Sequence, residues 1–83
     1  MKLRDQLIEA TSVYCSASGM SRSRLSTILL SGGMRLQQIQ DGGDIGVSRF
    51  EQAIQWLSDN WPDDTPWPDG VYRPEPKPME VVE

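Results

Sequence analysis

The sequence has 83 residues, enough for one small domain with a thin hydrophobic core. It contains one cysteine and no histidine, which excludes an internal disulfide and the Ser/His and Cys/His pairs of nucleophilic enzymes. Residues 1–58 carry six basic and five acidic side chains, whereas residues 59–83 carry two basic and seven acidic ones. We therefore expect a protein that is not an enzyme, that holds no metal or cofactor, and whose net charge of −4 arises from its C-terminal part.

No stretch approaches the roughly 18 to 20 consecutive apolar residues of a membrane span. The N-terminal segment MKLRDQLIEA turns acidic too early for a signal peptide. These two features predict a cytoplasmic protein with no membrane partner.

The first predicted helix covers about residues 2–17. Its apolar side chains recur at steps of three and four residues, which places them on one helical face. Gly19 suits the left-handed conformation that often ends a helix. The apolar face consists of Leu3, Leu7, Ala10, Tyr14 and Ala17.

Two shorter helices follow, at about 21–30 and 34–41, separated by Ser31-Gly32-Gly33. Ser21 is a good N-cap for the first of them. Two adjacent glycines predict a turn, because each would cost roughly 1 kcal/mol inside a helix. Leu36 and Ile39 share one face of the second helix, with Met34 at its entrance, and Gly42 and Gly43 end it.

A fourth helix is predicted at about 48–60, where Ser48 and Glu51 form a capping box. Its apolar face ends near Trp61, which precedes Pro62 and is therefore biased away from helical backbone. The apolar residues on this face are Phe50, Ala53, Ile54, Leu57 and Trp61.

Residues 62–83 form an acidic tail that contains all six prolines, so no regular helix or strand is expected there. Its first half contains Trp67, Val71 and Tyr72, which either pack back on the helices or contact a neighbouring subunit. Its second half, from Glu75, has the composition of an extended or disordered end.

Four short helices with the second and third joined by a glycine turn are typical of a helix-turn-helix, whose third helix enters the DNA major groove. From Ile8 to about Trp61, two thirds of the chain, the sequence resembles the small lambda-repressor/Cro-like regulators of phages and proteobacteria. The likeness lies in GMSRSRLS, the SGG turn, LQQIQDG and VSRFEQAIQWL.

This resemblance implies an all-α fold of four to five helices in residues 1–61, followed by the irregular tail. It also implies a transcriptional regulator, most plausibly a repressor of phage or mobile-element origin, that binds an inverted-repeat operator in double-stranded DNA as a homodimer. The family anchors its third helix by apolar residues that correspond to Met34 and Ile39. The family also has a small residue four positions before the turn glycine, where the second and third helices cross. This chain has Leu29 at that position. Either these two helices lie further apart here, or the motif is placed one residue off along this sequence.

The residue types of the third helix support the same interpretation. Arginine can bind guanine O6 and N7, and glutamine can bind adenine N6 and N7. We expect base contacts from Arg35, Gln37 and Gln38, while the alternative is that this polar face serves only solubility.

Phosphate contacts are expected at helix starts, where backbone N–H groups and the helix dipole favour an anion. The alternative for these residues is ordinary capping and solvation. The candidates are Ser21, Arg22, Arg24, Ser48 and Arg49.

Trp61, Trp67 and Tyr72 are the candidates for a dimer contact, because aromatic residues are enriched in interfaces. The alternative is that they pack on their own domain. Two other functions remain open: an antitoxin-like regulator whose tail binds a partner protein, and a protein-interaction module or inhibitor that does not bind DNA and uses the acidic tail.

Overall fold

The computed structural model describes residues 2–76, and within this range the chain is all-helical, with four helices and no strand. Each helix begins and ends within one residue of its predicted bounds. None of the described helices is long and apolar enough to cross a membrane. The helices are α1 (Leu3–Ser18), α2 (Arg22–Leu30), α3 (Arg35–Gln40) and α4 (Val47–Asp59).

Helix α1 is the central helix of the domain and packs against each of the other three. Its buried face consists of Leu7, Ala10, Thr11 and Tyr14, close to the predicted apolar face. Gly19 ends it as expected, with a φ of +76° and an N–H that donates to the Cys15 carbonyl at 2.9 Å.

Ser21 caps α2, because its Oγ accepts from the Arg24 N–H at 3.2 Å. The helix ends at Ser31, which takes the left-handed conformation with a φ of +60°. The residue with positive φ in the Ser31-Gly32-Gly33 turn is thus the serine. Of the two glycines Gly32 has less space: a Cβ there would lie 3.0 Å from Arg35 Cγ, whereas a Cβ on Gly33 would lie 3.4 Å from Ser23 Oγ, an ordinary contact distance.

Ser26 joins α2 to α3. Its side chain is fully buried, its Oγ accepts from the Leu36 N–H at 3.0 Å, and the same hydroxyl donates to the Gly32 carbonyl. The small residue at the contact between these helices is therefore Ser26, three positions before Leu29. Leu29 is half-buried against the core, and the small residue lies three positions earlier than the family pattern with Gly33 in the turn predicts.

Leu36 and Ile39 anchor α3 in the core, but Met34 does not, because it is 65% exposed. The prediction that Met34 holds down this helix is therefore wrong. Met34 precedes the first helical residue and adopts a φ of −104° and a ψ of 0°. The Ser26 hydrogen bond to Leu36 fixes the start of α3 in place of an apolar anchor.

The N-cap of helix α4 lies two residues earlier than the capping box predicts. Gly46 occupies the N-cap position without a side-chain cap, and its carbonyl accepts from the Phe50 N–H at 2.9 Å. Ser48 is consequently the second helical residue, which corrects its predicted role as a cap. The buried residues of α4 are Phe50, Ala53, Ile54, Leu57 and Ser58.

The described part of the tail packs on its own domain. Trp61 and Val71 are buried, and the Trp61 ring lies between those of Tyr14 (5.9 Å between centroids) and Trp67 (4.5 Å). Buried Ser58 donates to the Pro74 carbonyl at 2.6 Å. The tail therefore completes the core near α1 and α4. Of the second half of the tail, residues 77–83 lie outside the described range.

Candidate nucleic-acid interface

The three predicted base-contacting residues lie on the exposed side of α3. Arg35, Gln37 and Gln38 are all exposed, whereas Leu36 and Ile39 of the same helix are buried. The alternation follows from the helical repeat, which places residues three and four apart on the same face. The helix therefore presents polar side chains while its apolar side is held in the core.

Two glutamines of α3 are already engaged within the chain. Gln37 Nε2 donates to Asp41 Oδ1 at 3.2 Å, and Gln40 Oε1 accepts from Arg22 Nη2. The first hydrogen bond directs the Gln37 side chain toward the C-terminal end of the helix. The second links the end of α3 to the start of α2.

Arg35 and Gln38 share a cleft with Arg49 of α4. The cleft has a volume of about 290 Å³, and the loop of residues 43–46 forms its other wall. Gly46 lies at the N-terminus of α4, where the absence of a side-chain cap leaves backbone N–H groups for an anion. The cleft thus brings together residues of two helices: Arg35 and Gln38 of α3, which are predicted to contact bases, and Arg49 of α4, which is predicted to contact a phosphate.

Gly43 sets the distance between this loop and α3. Its N–H donates to the Gln38 carbonyl at 2.9 Å, and a Cβ at this position would lie only 2.8 Å from that oxygen. The sequence pattern identifies Gly43 only as a helix terminator. Its contact with Gln38 was missed, because a close approach between backbones leaves no sign in the sequence beyond the glycine itself.

The remaining phosphate candidates differ in their surroundings. Arg24 and Ser48 are exposed, and Ser21 Oγ is used in capping α2. Arg22 is half-buried; its Nη2 donates to Gln40, and its Nε is buried without a hydrogen-bond partner among the described residues. Arg22 thus has a structural contact that the charge pattern does not reveal.

Arg4 also contacts this region, although the sequence analysis assigned it no role. Its Nη1 donates to the Gly42 carbonyl at 3.2 Å, which ties α1 to the loop after α3. The two residues are 38 positions apart, so no local pattern could have identified the pair.

Cys15 lies partly buried against the core, as expected for a small packing residue. Burial raises the pKa of its thiol above the ordinary value, and the positive charge of Arg22 opposes that shift. A thiol with a raised pKa is a poor nucleophile at neutral pH.

The aromatic residues proposed for dimer contact fall into two groups. Trp61 and Trp67 contact each other, and their Nε1 groups donate to the carbonyls of Thr65 (2.7 Å) and Val71 (3.0 Å). Tyr72 is 59% exposed, and its backbone N–H donates to Gln6 Oε1 at 2.8 Å. Among the three, Tyr72 has the largest free apolar surface.

Comparison of the chain with protein-family models, with curated proteins and with solved structures finds no match.

Proposed function

We propose that this chain is a sequence-specific double-stranded DNA-binding regulator of the lambda-repressor/Cro-like type, acting as a repressor with α3 in the major groove. The observation that carries the proposal is the shared cleft of Arg35, Gln38 and Arg49. Arginine and glutamine are suited to base edges, and an arginine beside an uncapped helix N-terminus is suited to a phosphate. The phage or mobile-element origin of such a repressor rests on the sequence resemblance alone.

The charge distribution predicts how the domain would bind. Residues 1–58 carry only one more basic than acidic side chain, so few counterions would be released from the DNA and nonspecific affinity would be low. Specific binding would then depend on base contacts. Because a six-residue helix is about 9 Å long and reads only a few base pairs, we propose a homodimer on an inverted repeat.

A role in protein binding through the acidic tail is the alternative, either in an antitoxin-like regulator or in an inhibitor that does not bind DNA. The described part of the tail exposes Asp63, Asp64 and Asp69, while its one tryptophan, Trp67, packs on the domain. This arrangement leaves an acidic surface available, but it identifies no partner.

The test is a mobility-shift titration of the full chain with DNA from upstream of its own gene, at two salt concentrations. We expect a specific complex whose affinity Arg35→Ala lowers by about tenfold or more. Arg24→Ala is the matched control, since Arg24 is an exposed arginine on α2; its loss should weaken specific and nonspecific binding equally and reduce the salt dependence. Absence of a complex with this DNA and with a randomised library would contradict the proposal.

A further inference from the structure

Among the described residues, Gln38 is the one glutamine of α3 whose side chain makes no hydrogen bond. A bidentate contact to adenine needs the amide oxygen and the amide nitrogen together, turned toward the base. The Gln37 amide is held by Asp41 and the Gln40 amide by Arg22, so both are oriented by contacts within the chain. Gln38 is exposed and lines the cleft beside Arg35.

We infer that Arg35 and Gln38 are the specificity-determining pair, and that each operator half-site contains a G·C pair immediately next to an A·T pair. This inference rests on the proposed function. Arg35 binds the guanine and Gln38 binds the adenine, whereas Gln37 reads no base.

The spacing of the two side chains supports neighbouring base pairs. Residues three apart lie on the same helical face and about 4.5 Å apart along the axis. Base pairs rise by about 3.4 Å, so two long side chains at this separation reach consecutive pairs.

The charge of Asp41 provides a second reason to exclude Gln37 as a reader. To turn its amide toward a base, Gln37 would have to rotate away from Asp41, which would leave that carboxylate without this donor. Gln38 reaches a base without breaking any hydrogen bond that its side chain makes in the structure.

The inference is tested by selecting binding sites for the full chain from a randomised double-stranded DNA library. We expect enriched half-sites with adjacent G·C and A·T pairs. Affinities are then measured for sites with every base at these two positions, using the original chain and its Arg35→Ala, Gln38→Ala and Gln37→Ala variants. Circular dichroism checks that each variant is folded.

Arg35→Ala should remove a preference of about tenfold or more at the G·C pair alone, and Gln38→Ala should do so at the A·T pair alone. Gln37→Ala should leave both preferences unchanged. Gln38→Glu should move the preference from A·T to a pair that presents cytosine, because a carboxylate accepts from cytosine N4. A residue with a merely structural role would not redirect the preference in this way.

Two results would overturn the inference while leaving DNA binding intact. One is an enriched half-site without the adjacent G·C and A·T pairs. The other is a change of base preference in Gln37→Ala but not in Gln38→Ala. Failure to enrich any sequence would instead contradict the proposed function itself, and the inference with it.

Discussion

At the scale of single residues, Ser26 is the most consequential polar side chain of the core. It accepts from the Leu36 N–H and donates to the Gly32 carbonyl, so one hydroxyl satisfies two backbone groups at the contact between α2 and α3. The sequence places this residue on α2 but does not predict its role, because its partners belong to the turn and the next helix. The structure of the turn therefore depends on a hydroxyl as well as on the glycines.

Ser26→Ala should lower the free energy of unfolding by about 2 kcal/mol, since the buried Leu36 N–H loses its partner and the Gly32 carbonyl keeps only the Arg35 N–H at 3.3 Å. Urea denaturation measures this change. Ser23→Ala is the matched control: its hydroxyl is exposed and donates to the Gly33 carbonyl at 3.3 Å, so its removal should cost less than about 0.5 kcal/mol. Equal losses in the two variants would show that Ser26 does not have this role.

Gly43 is a glycine at which an added side chain would meet a neighbouring part of the backbone. In Gly43→Ala the new Cβ would meet the Gln38 carbonyl at 2.8 Å, and a backbone oxygen cannot move aside alone. We expect a loss of about 1–3 kcal/mol in stability and weaker specific DNA binding, because Gln38 would shift with its backbone.

Gly33→Ala serves as the comparison for Gly43→Ala. Its Cβ would lie 3.4 Å from Ser23 Oγ, and this side-chain atom can move. Thermal unfolding and the mobility-shift titration should both show a smaller effect than in Gly43→Ala. A larger effect at Gly33 would contradict the geometry.

At the scale of helices, local sequence signals predicted where each helix begins and ends to within one residue. They did not predict the capping residue at every end. Apolar spacing and the glycines at 19 and 42–43 predicted all four helices, because each helix buries one face and ends where its backbone changes conformation. The predicted capping box at Ser48 failed because the N-cap is Gly46, two residues earlier, and the helix begins at Val47. Apolar spacing does not distinguish these two starts, because the same face of the helix is buried from either of them.

The uncapped start of α4 allows stability and DNA affinity to be changed in opposite directions. A Cβ at Gly46 meets no atom within 4 Å, so a larger residue fits there. Gly46→Asp should stabilise the chain by about 0.5 kcal/mol, through capping and the helix dipole. It should also lower DNA affinity by about tenfold at low salt, because its charge would lie in the cleft lined by Arg35 and Arg49.

Gly46→Asn separates the two effects, because it provides a similar cap without the charge. Its DNA affinity should stay within about twofold of the original chain. If both variants bind DNA equally well, the N-terminus of α4 does not face the phosphates.

At the scale of the whole molecule, residues 62–76, the described part of the tail, belong to the domain. The sequence left open whether its aromatic residues contact their own domain or another subunit, because composition gives no information on which chain they touch. The structure places Trp67 between the Trp61 ring and the guanidinium of Arg73, whose carbon lies 4.9 Å from the Trp67 ring centre. The sequence likewise does not show that Arg35 and Arg49 line the same cleft, because the two residues are distant in sequence.

Trp67→Ala should lower the free energy of unfolding by about 2 kcal/mol, less than for a fully buried tryptophan, because Trp67 is half-buried. For a domain of this size the melting temperature would fall by about 10 °C. Circular dichroism measures the shift. An unchanged melting temperature would show that the tail does not stabilise the domain.

Because the described part of the tail packs on its own domain, the test of a homodimer needs a variant that leaves this packing intact. Removing the whole tail would also remove Val71 from the core and leave the Trp61 ring without Trp67, so a monomer obtained in this way would not identify the contact. Tyr72→Ala avoids this problem: the side chain is exposed, and the backbone N–H that bonds to Gln6 is retained. If Tyr72 lies at the dimer contact, this variant should melt like the original chain but dissociate at concentrations about tenfold higher.

Light scattering over a range of concentrations measures that dissociation, with Ile28→Ala as a control for loss of another exposed apolar side chain. The Tyr72 variant should also lose affinity for an inverted repeat more than for a single half-site, because only the repeat requires two joined copies. An unchanged mass together with unchanged binding to the repeat would place the dimer contact elsewhere on the domain. A monomeric original chain that still binds the repeat would remove the need for such a contact.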